Sequence, residues 1–263
     1  MTVLRSSANP RVRRWQRLVR DSRARRAEGR ALIEGPHLVA AYLDCGGRPE
    51  ALIVSEDGIP GREIDVLVGR AGIAPVLVSS AVFRATADAD TPQGIAAEIV
   101  LPKARPSLGA SPCCALLDRI QDAGNVGAVL RSAAAFGVRD VILGPGCADP
   151  WSPKALRAGM GAHFYLCITA SRDPVADLER FGGIAACTVP RGGVPIAEAD
   201  LRGRILWLLG AEGQGISPPL AAHAALKVTI PMPGTAESLN VAAAAAICFY
   251  ERSRQLSKWN ARS

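Results

Sequence analysis

The chain of 263 residues lacks the features of membrane and secreted proteins. Its longest uncharged apolar run, residues 241–250, is too short to span a bilayer. The Arg-rich start has no apolar segment and no cleavage pattern, which excludes a secretory signal, although organellar transit peptides are also rich in Arg. The sequence predicts a cytoplasmic protein without a membrane partner, with an organellar location as the alternative.

Paired cysteines and cofactor fingerprints are also missing. The seven Cys form no Cys-x-x-Cys pair and show no zinc-ligand spacing, so we expect buried reduced thiols and no metal. The Gly-rich segment 210–215 is neither the dinucleotide fingerprint nor a Gly-Lys-Ser phosphate loop. These absences argue against zinc proteins, phosphate-loop proteins and nicotinamide enzymes.

Aromatic residues are scarce, at 5%, in a chain that is 49% hydrophobic. Ala and Val supply much of the apolar content, which suits tight packing of helices on a sheet. The chain reads as a basic amphipathic helix at 1–29, a small α/β domain at 30–100 and a Pro-containing linker at 101–112. A larger α/β domain follows at 113–263, where strands alternate with helices as in a parallel sheet covered on both faces.

Periodicity gives approximate bounds for the elements of the larger domain. The predicted strands are 114–118, 139–143, 164–168, 184–188, 205–209 and 227–230, and the predicted helices are 125–136, 152–159, 174–180, 217–222 and 238–257.

Positive charge is concentrated at the N-terminus. Residues 1–30 hold ten Arg and two acidic residues, a net charge of +8, while the remainder of the chain carries −1. Val12, Trp15 and Leu18 recur at helical spacing, which predicts a helix with one apolar face and a basic remainder. Arg at this density is typical of phosphate contact. The alternative is a helix that only packs on the small domain, with its Arg side chains solvated.

Polar side chains follow three of the predicted strands, in segments 125–131, 209–216 and 230–240. Because sites in α/β sheets form at the carboxyl ends of parallel strands, we expect these segments to meet. The candidate catalytic residues they contain are Asn125, Arg131, Glu212, Ser238 and Asn240.

Most of these residues also have a purely structural explanation. Asn125 and Ser238 are placed to cap the helices that follow them. Arg131 could pair with a neighbouring acid, and the glycines of 210–215 could form a tight turn. Glu212 has no local explanation in the sequence.

Together the segments resemble the motifs of the SpoU-type RNA ribose methyltransferases of the SPOUT superfamily. The first motif is matched by residues 121–131, the second by 209–213, and the third by 230–232 with 238–241. The resemblance covers residues 114–255. The N-terminal part resembles the family's substrate-binding domain through Ile33-Glu34-Gly35 and Thr91-Pro92-Gln93-Gly94. Two residues of the 114–255 region depart from the family pattern: Ala123 stands where Pro is usual, and Gly159 stands where Ser is usual.

The resemblance implies a fold and a cofactor. The fold is a parallel-sheet α/β domain with a C-terminal trefoil knot, which forms a homodimer, plus a smaller N-terminal α/β substrate-binding domain. The implied cofactor is S-adenosylmethionine, and the residues that match the positions holding it are Thr188, Gly210, Ile230, Met232 and Leu239.

The implied reaction is attack of a ribose 2′-hydroxyl on the sulfonium methyl. No His lies in the motifs, and a neutral Arg at pH 7 would cost about 7 kcal/mol. We therefore expect Arg131 to act as a cation that stabilises the developing alkoxide and grips a phosphate. Glu212 could hold Arg131 or accept the proton, while Asn125, Ser238 and Asn240 would orient the ribose and the loops.

Selection of a 2′-hydroxyl favours RNA over DNA as the partner. The extra N-terminal domain and basic helix favour ribosomal RNA, with transfer RNA as the alternative. A non-catalytic RNA-binding or ribosome-assembly factor of the same fold is the alternative from a different functional class.

Overall fold

The chain forms two units and passes from one to the other three times. The computed structural model describes residues 2–57, 62–103 and 108–260. The N-terminal unit comprises Met1–Lys103 and Asp149–Phe164, and the C-terminal unit comprises Ala104–Ala148 and Tyr165–Ser263.

Helices and strands alternate along much of both units. Helices α1 to α10 are Pro10–Arg20, Ser22–Glu28, Pro36–Asp44, Arg62–Ala71, Ser80–Thr86, Ala123–Ala135, Pro153–Gly159, Pro174–Phe181, Pro218–Ala222 and Val241–Asn260. Strands β1 to β11 are Arg30–Glu34, Ala51–Ser55, Val76–Val78, Ile95–Val100, Cys113–Asp118, Asp140–Leu143, Cys167–Ala170, Ile184–Thr188, Val194–Pro195, Ile205–Gly210 and Leu226–Thr229.

The sheet of the C-terminal unit is parallel throughout, in the order β7-β6-β5-β10-β8-β11-β9. Alternate residues of β10 enter different cores. Trp207 packs in the core beneath α6 and α10, whereas Leu208 packs in the core beneath α8 and α9. The predicted parallel sheet covered on both faces is therefore confirmed.

The N-terminal unit holds a smaller mixed sheet in the order β1-β4-β2-β3, in which β4 runs antiparallel to both of its neighbours. One face carries α1 and α5, and Trp15 and Phe83 are buried there. The opposite face carries α3 and α4, and Leu156 of α7 also joins that core.

Residues 149–164 differ from their predicted placement, because they pack with the N-terminal unit and not with the larger domain. The ring centroids of Phe164 and Tyr42 lie 5.2 Å apart. A 3-10 helix at Ala162–Tyr165 therefore occupies the start of the predicted strand 164–168, and β7 begins only at Cys167. Of the predicted linker, residues 104–107 lie outside the described residues.

The cysteines follow the prediction with one exception. All seven are free thiols, and six are buried or partly buried, whereas Cys45 is exposed. Burial raises the pKa of the Cys113 thiol to about 11. Among the described residues, no helix has the length and apolar content needed to cross a membrane.

His163 is an uncharged group in the core of the N-terminal unit. It is 0% exposed, and its Nε2 lies 2.7 Å from the carbonyl oxygen of Pro150 and must donate to it. The Nδ1 atom is buried without a hydrogen-bond partner in the described part of the chain. Burial lowers the pKa of His163 to about 4.

This burial predicts acid sensitivity of the N-terminal unit. Because the pKa of His163 is lower in the folded chain than the unfolded value of about 6.5, the unfolded state binds more protons between these two values. Stability should therefore fall by up to about 3 kcal/mol as the pH drops from about 6.5 to about 4. Urea unfolding of His163→Gln should show a shallower pH dependence in this window. The exposed His37→Gln serves as control and should keep the wild-type slope. An identical slope for His163→Gln would contradict the assignment.

Candidate functional site

The three candidate segments follow strands β5, β10 and β11 at the same edge of the parallel sheet. Strand β10 lies between β5 and β8, and β11 lies beside β8. Asp118 at the end of β5 is in register with Gly210 at the end of β10, and Thr188 at the end of β8 is in register with Val228. The expectation that the segments lie at one edge is confirmed.

Asn125 does not cap helix α6, because its neighbour Asp122 does. The side chain of Asp122 accepts a hydrogen bond of 2.9 Å from the backbone N–H of Asn125 and caps α6. The alternative that Asn125 is the cap is therefore wrong. Its side chain is directed to the other loops: Nδ2 donates to Glu212 Oε1, and Oδ1 accepts a hydrogen bond of 3.0 Å from Asn240 Nδ2.

Asn240, and not Ser238, caps the last helix. The Oδ1 atom of Asn240 accepts a hydrogen bond of 2.8 Å from Ala242 N, and its carbonyl accepts one of 3.0 Å from Ala244 N. Helix α10 therefore begins at Val241, three residues later than predicted. Ser238 is exposed in the preceding loop and makes no hydrogen bond to another described residue.

Arg131 is exposed on α6 and makes neither a hydrogen bond nor an ion pair with any described residue. It lies about 9 Å along the helix axis from Asn125, since each residue of a helix rises about 1.5 Å. The suggested contact between Glu212 and Arg131 does not form, and Glu212 accepts a hydrogen bond from Asn125 instead. The structure thus joins Asn125, Glu212 and Asn240, and it leaves Arg131 and Ser238 unbonded to them.

The glycines of 210–215 form a tight turn, as the structural alternative proposed. Gly213 and Gly215 have φ values of +79° and +66°, which favour glycine. A Cβ on Gly210 would lie 2.1 Å from the carbonyl carbon of Gly215. The close approach of these two backbone segments therefore excludes every side chain at position 210.

Three polar residues around the site were missed in the sequence. Asp122 stands three residues before Asn125, which is the spacing of an N-cap and its partner, so that signal was available. Asp118 accepts a hydrogen bond of 2.6 Å from Ser217 N, and Arg119 donates to Gln214. These contacts span 99 and 95 residues, and no local pattern reveals them.

Five of the ten Arg residues in 1–30 form ion pairs within the N-terminal unit. The buried Glu98 accepts hydrogen bonds from Arg14, Arg30 and Trp15 Nε1. The other internal pairs are Arg5 with Glu56, Arg17 with Glu28, and the buried Arg25 with Asp149.

The remaining arginines face solvent. Arg11 lies over the ring of Trp15 at 5.3 Å. Four exposed arginines make no ion pair within the described residues, and we call them the exposed arginine set: Arg13, Arg20, Arg23 and Arg26.

Comparison with known proteins identifies the family. The profile of the SpoU rRNA Methylase family matches residues 112–250, which is more than half of the chain. The chain belongs to the SpoU rRNA methylase family. A second profile, the MRM3-like substrate binding domain, matches residues 9–97. The predicted family is confirmed, and with it the expectation of an RNA methyltransferase with an additional N-terminal domain.

Several relatives match almost the whole chain, including both the N-terminal and the C-terminal unit. It is 32% identical to the 23S rRNA (guanosine(2553)-2'-O)-methyltransferase RlmP of Bacillus subtilis, over 95% of this chain and 98% of that protein. The AdoMet complex of the SpoU methyltransferase AviRb from Streptomyces viridochromogenes superposes with a TM-score of 0.83 at 25% identity, over 95% and 100% of the two chains. The AdoMet-bound rRNA methyltransferase from Sinorhizobium meliloti also gives 0.83, at 27% identity over 97% and 98%.

The close contact between Gly210 and Gly215 allows a test of whether the 210–216 turn takes part in cofactor binding. Gly210→Ala forces the 211–216 segment to shift, so we expect S-adenosylhomocysteine affinity to fall at least about tenfold, equivalent to about 1.4 kcal/mol. The fold should persist, because Gly210 is the last residue of β10 and the atoms that must move, at Gly215 and Ile216, lie beyond the strand. Gly203→Ala, before the same strand, is the control, since a Cβ there meets no atom within 4 Å. Calorimetric titration and thermal melting provide both readouts, and equal affinity of the two variants would refute the argument.

Proposed function

We propose that this chain transfers the methyl group of S-adenosylmethionine to a ribose 2′-hydroxyl of ribosomal RNA. The full-length match to a 23S rRNA 2'-O-methyltransferase carries the proposal, because it includes the N-terminal unit as well as the family's motifs. An enzyme that acts on ribosomal RNA in bacteria works in the cytoplasm, and we propose that location here.

The edge of the sheet suits the adenosyl part of the donor. Gly210 and Thr188 end the adjacent strands β10 and β8, and Ile230 follows the next strand, β11. These three residues, together with Met232 and Leu239, are partly buried and belong neither to the sealed core nor to the fully exposed surface. Apolar side chains and main chain in this arrangement fit a flat adenine, and we propose that these five residues hold the donor.

The bound donor supplies an activated methyl group, and the residues of the chain position the ribose that accepts it. Asn125 fixes one carboxylate oxygen of Glu212. The second oxygen makes no hydrogen bond with a described residue, and we propose that it receives the proton of the 2′-hydroxyl. Asn240 holds Asn125 from the other side, and Ser238 would contact the ribose from the same loop.

We propose that Arg131 works as a cation. Its charge is not neutralised by any described acidic side chain, and it is exposed on the helix that carries Asn125. A guanidinium in this state can grip an RNA phosphate and stabilise the developing alkoxide. Positioning of the hydroxyl against the methyl group can supply much of the reduction in the barrier.

We also propose the trefoil knot and the homodimer that the family resemblance implies. Insertion of β10 between the earlier strands β5 and β8 supports a threaded C-terminal region. The exposed Tyr250 of α10, which packs edge-on against Phe136 at 5.8 Å, supports an apolar subunit interface on this side of the unit.

The substrate is tested by mapping 2′-O-methyl positions in total RNA with and without the gene. We expect the loss of one position in ribosomal RNA, restored by the wild-type gene. A lost position in transfer RNA would replace the proposed substrate, and an unchanged map would support a non-catalytic RNA-binding factor.

The role of Arg131 predicts a loss of turnover without a loss of the donor. Arg131→Ala should lower methyl transfer by at least about two orders of magnitude, as expected for a preorganised charge, and should keep donor affinity near normal. Arg131→Lys should restore little of the methyl-transfer rate, because the ammonium of Lys lacks the planar, bidentate geometry of the guanidinium. The exposed Arg139→Ala is the control and should retain full activity. Single-turnover assays with excess enzyme check this, and an active Arg131→Ala enzyme would remove the residue from the mechanism.

The exposed arginine set predicts the salt dependence of RNA binding. Replacement of Arg13, Arg20, Arg23 and Arg26 by Gln should flatten the slope of log affinity against log salt by up to about three, since each phosphate contact contributes about 0.7–0.9. Deletion of residues 1–28 is a poorer test, because it also removes the buried Trp15 and Arg25. Arg70→Gln, at an exposed arginine already paired with Asp44, is the control. An unchanged slope in the fourfold variant would mean that these arginines are only solvated.

A further inference from the structure

Arg119 has a left-handed backbone conformation that residues other than glycine rarely adopt. Its φ is +57°, and Met160 at +49° is the other non-glycine residue with positive φ in the described part of the chain. The left-handed region brings Cβ close to the following carbonyl oxygen, so a residue persists there only when its surroundings hold it. The contacts of the Arg119 side chain therefore require an explanation.

These contacts lead to the loop that follows β10. Nη1 of Arg119 donates to Gln214 Oε1 at 3.2 Å, and Nη2 donates to the carbonyl oxygen of Gly215 at 3.4 Å. The preceding residue, Asp118, is 4% exposed and accepts a hydrogen bond from Ser217 N at 2.6 Å. Two consecutive residues at the end of β5 thus bind three positions of the 211–217 loop, namely Gln214, Gly215 and Ser217.

The Arg119 side chain is itself confined. Its Nε lies 3.6 Å from Asp118 Oδ2, and its Cγ would lie 3.4 Å from a Cβ placed on Gly146, in the loop after β6. The positive φ sets the direction in which the side chain leaves the end of the strand. The guanidinium then reaches the turn in which Gly210 contacts Gly215 and from which Glu212 reaches Asn125.

We propose that Arg119 is a positioning residue for methyl transfer. It keeps the 211–217 loop against the end of β5, so that the Gly210 main chain and the Glu212 carboxylate stay in place for the donor and the ribose. The inference rests on the proposed function, because that function assigns this loop to the donor.

Two substitutions separate the side chain from the backbone. Arg119→Gly removes the guanidinium and also relieves the positive φ, so the melting temperature should be unchanged or higher. Affinity for S-adenosylhomocysteine should nevertheless fall at least about tenfold, with a matching rise in the KM for the donor and a lower kcat. Arg119→Lys keeps the charge but not the fork, and should recover only part of the affinity. Met160→Gly is the matched control, because it relieves positive φ in the N-terminal unit and should leave donor affinity unchanged.

A double-mutant cycle tests the contact with the loop. Gln214→Ala alone should weaken S-adenosylhomocysteine binding less than Arg119→Gly, because the bond to the Gly215 carbonyl remains. The double variant should be less impaired than the sum of the single losses, as expected for residues in contact. Strict additivity, or donor affinity in Arg119→Gly equal to that of wild type, would overturn the proposal. Absence of binding to the folded wild-type chain would instead refute the proposed function, so the two failures are distinguishable.

Discussion

The site depends on one side-chain amide, that of Asn125, which joins three loops distant in the sequence. Its Nδ2 donates to Glu212 and its Oδ1 accepts from Asn240, so the loops after β5, β10 and β11 meet at one group. The amide of Asn125 can bond to both loops because its NH2 group donates and its carbonyl oxygen accepts. A carboxylate or a hydroxyl of similar length does not combine two N–H donors with a carbonyl oxygen. The Asp122 cap makes the arrangement possible, since it frees Asn125 from bonding to its own helix.

The parallel sheet supplies the frame for this contact. All the strands concerned run in one direction, so the loops that follow them lie at one edge. Register then brings Asp118 level with Gly210. Gly210 in turn admits the backbone of Gly215 at a distance that no side chain tolerates. Geometry of this kind fixes polar groups before a substrate arrives, which is how preorganised sites stabilise developing charge.

Local patterns predicted the parts of the molecule that local forces determine. The alternation of β10 between two cores is visible as a continuous apolar run, and the motif segments lie at strand ends as expected. Capping was predicted less well, because Asp122 and Asn125 both suit an N-cap and only the fold decides between them. The bond between Asn125 and Glu212 depends on the insertion of β10 beside β5, which periodicity does not contain.

The N-terminal unit shows the same limit for charge. The count of arginines in residues 1–30 could not show that the partners of Arg14 and Arg25 are Glu98 and Asp149, far along the chain. Likewise, the helical pattern of residues 152–159 was recognised, but its packing partner was not, because Leu156 is buried against strands more than a hundred residues earlier. Local periodicity identifies an element, and tertiary packing decides where it belongs.

We propose that the Asn125 amide organises the donor and ribose site, and an isosteric substitution at this residue tests that role. Asn125→Asp keeps the shape of the side chain but removes the Nδ2 donor and places a second carboxylate beside Glu212. Titration calorimetry with S-adenosylhomocysteine, combined with single-turnover methyl transfer to ribosomal RNA, provides the measurement. We expect a folded protein with weakened donor binding and with methyl transfer reduced by at least about two orders of magnitude. Wild-type affinity and turnover in Asn125→Asp would contradict it.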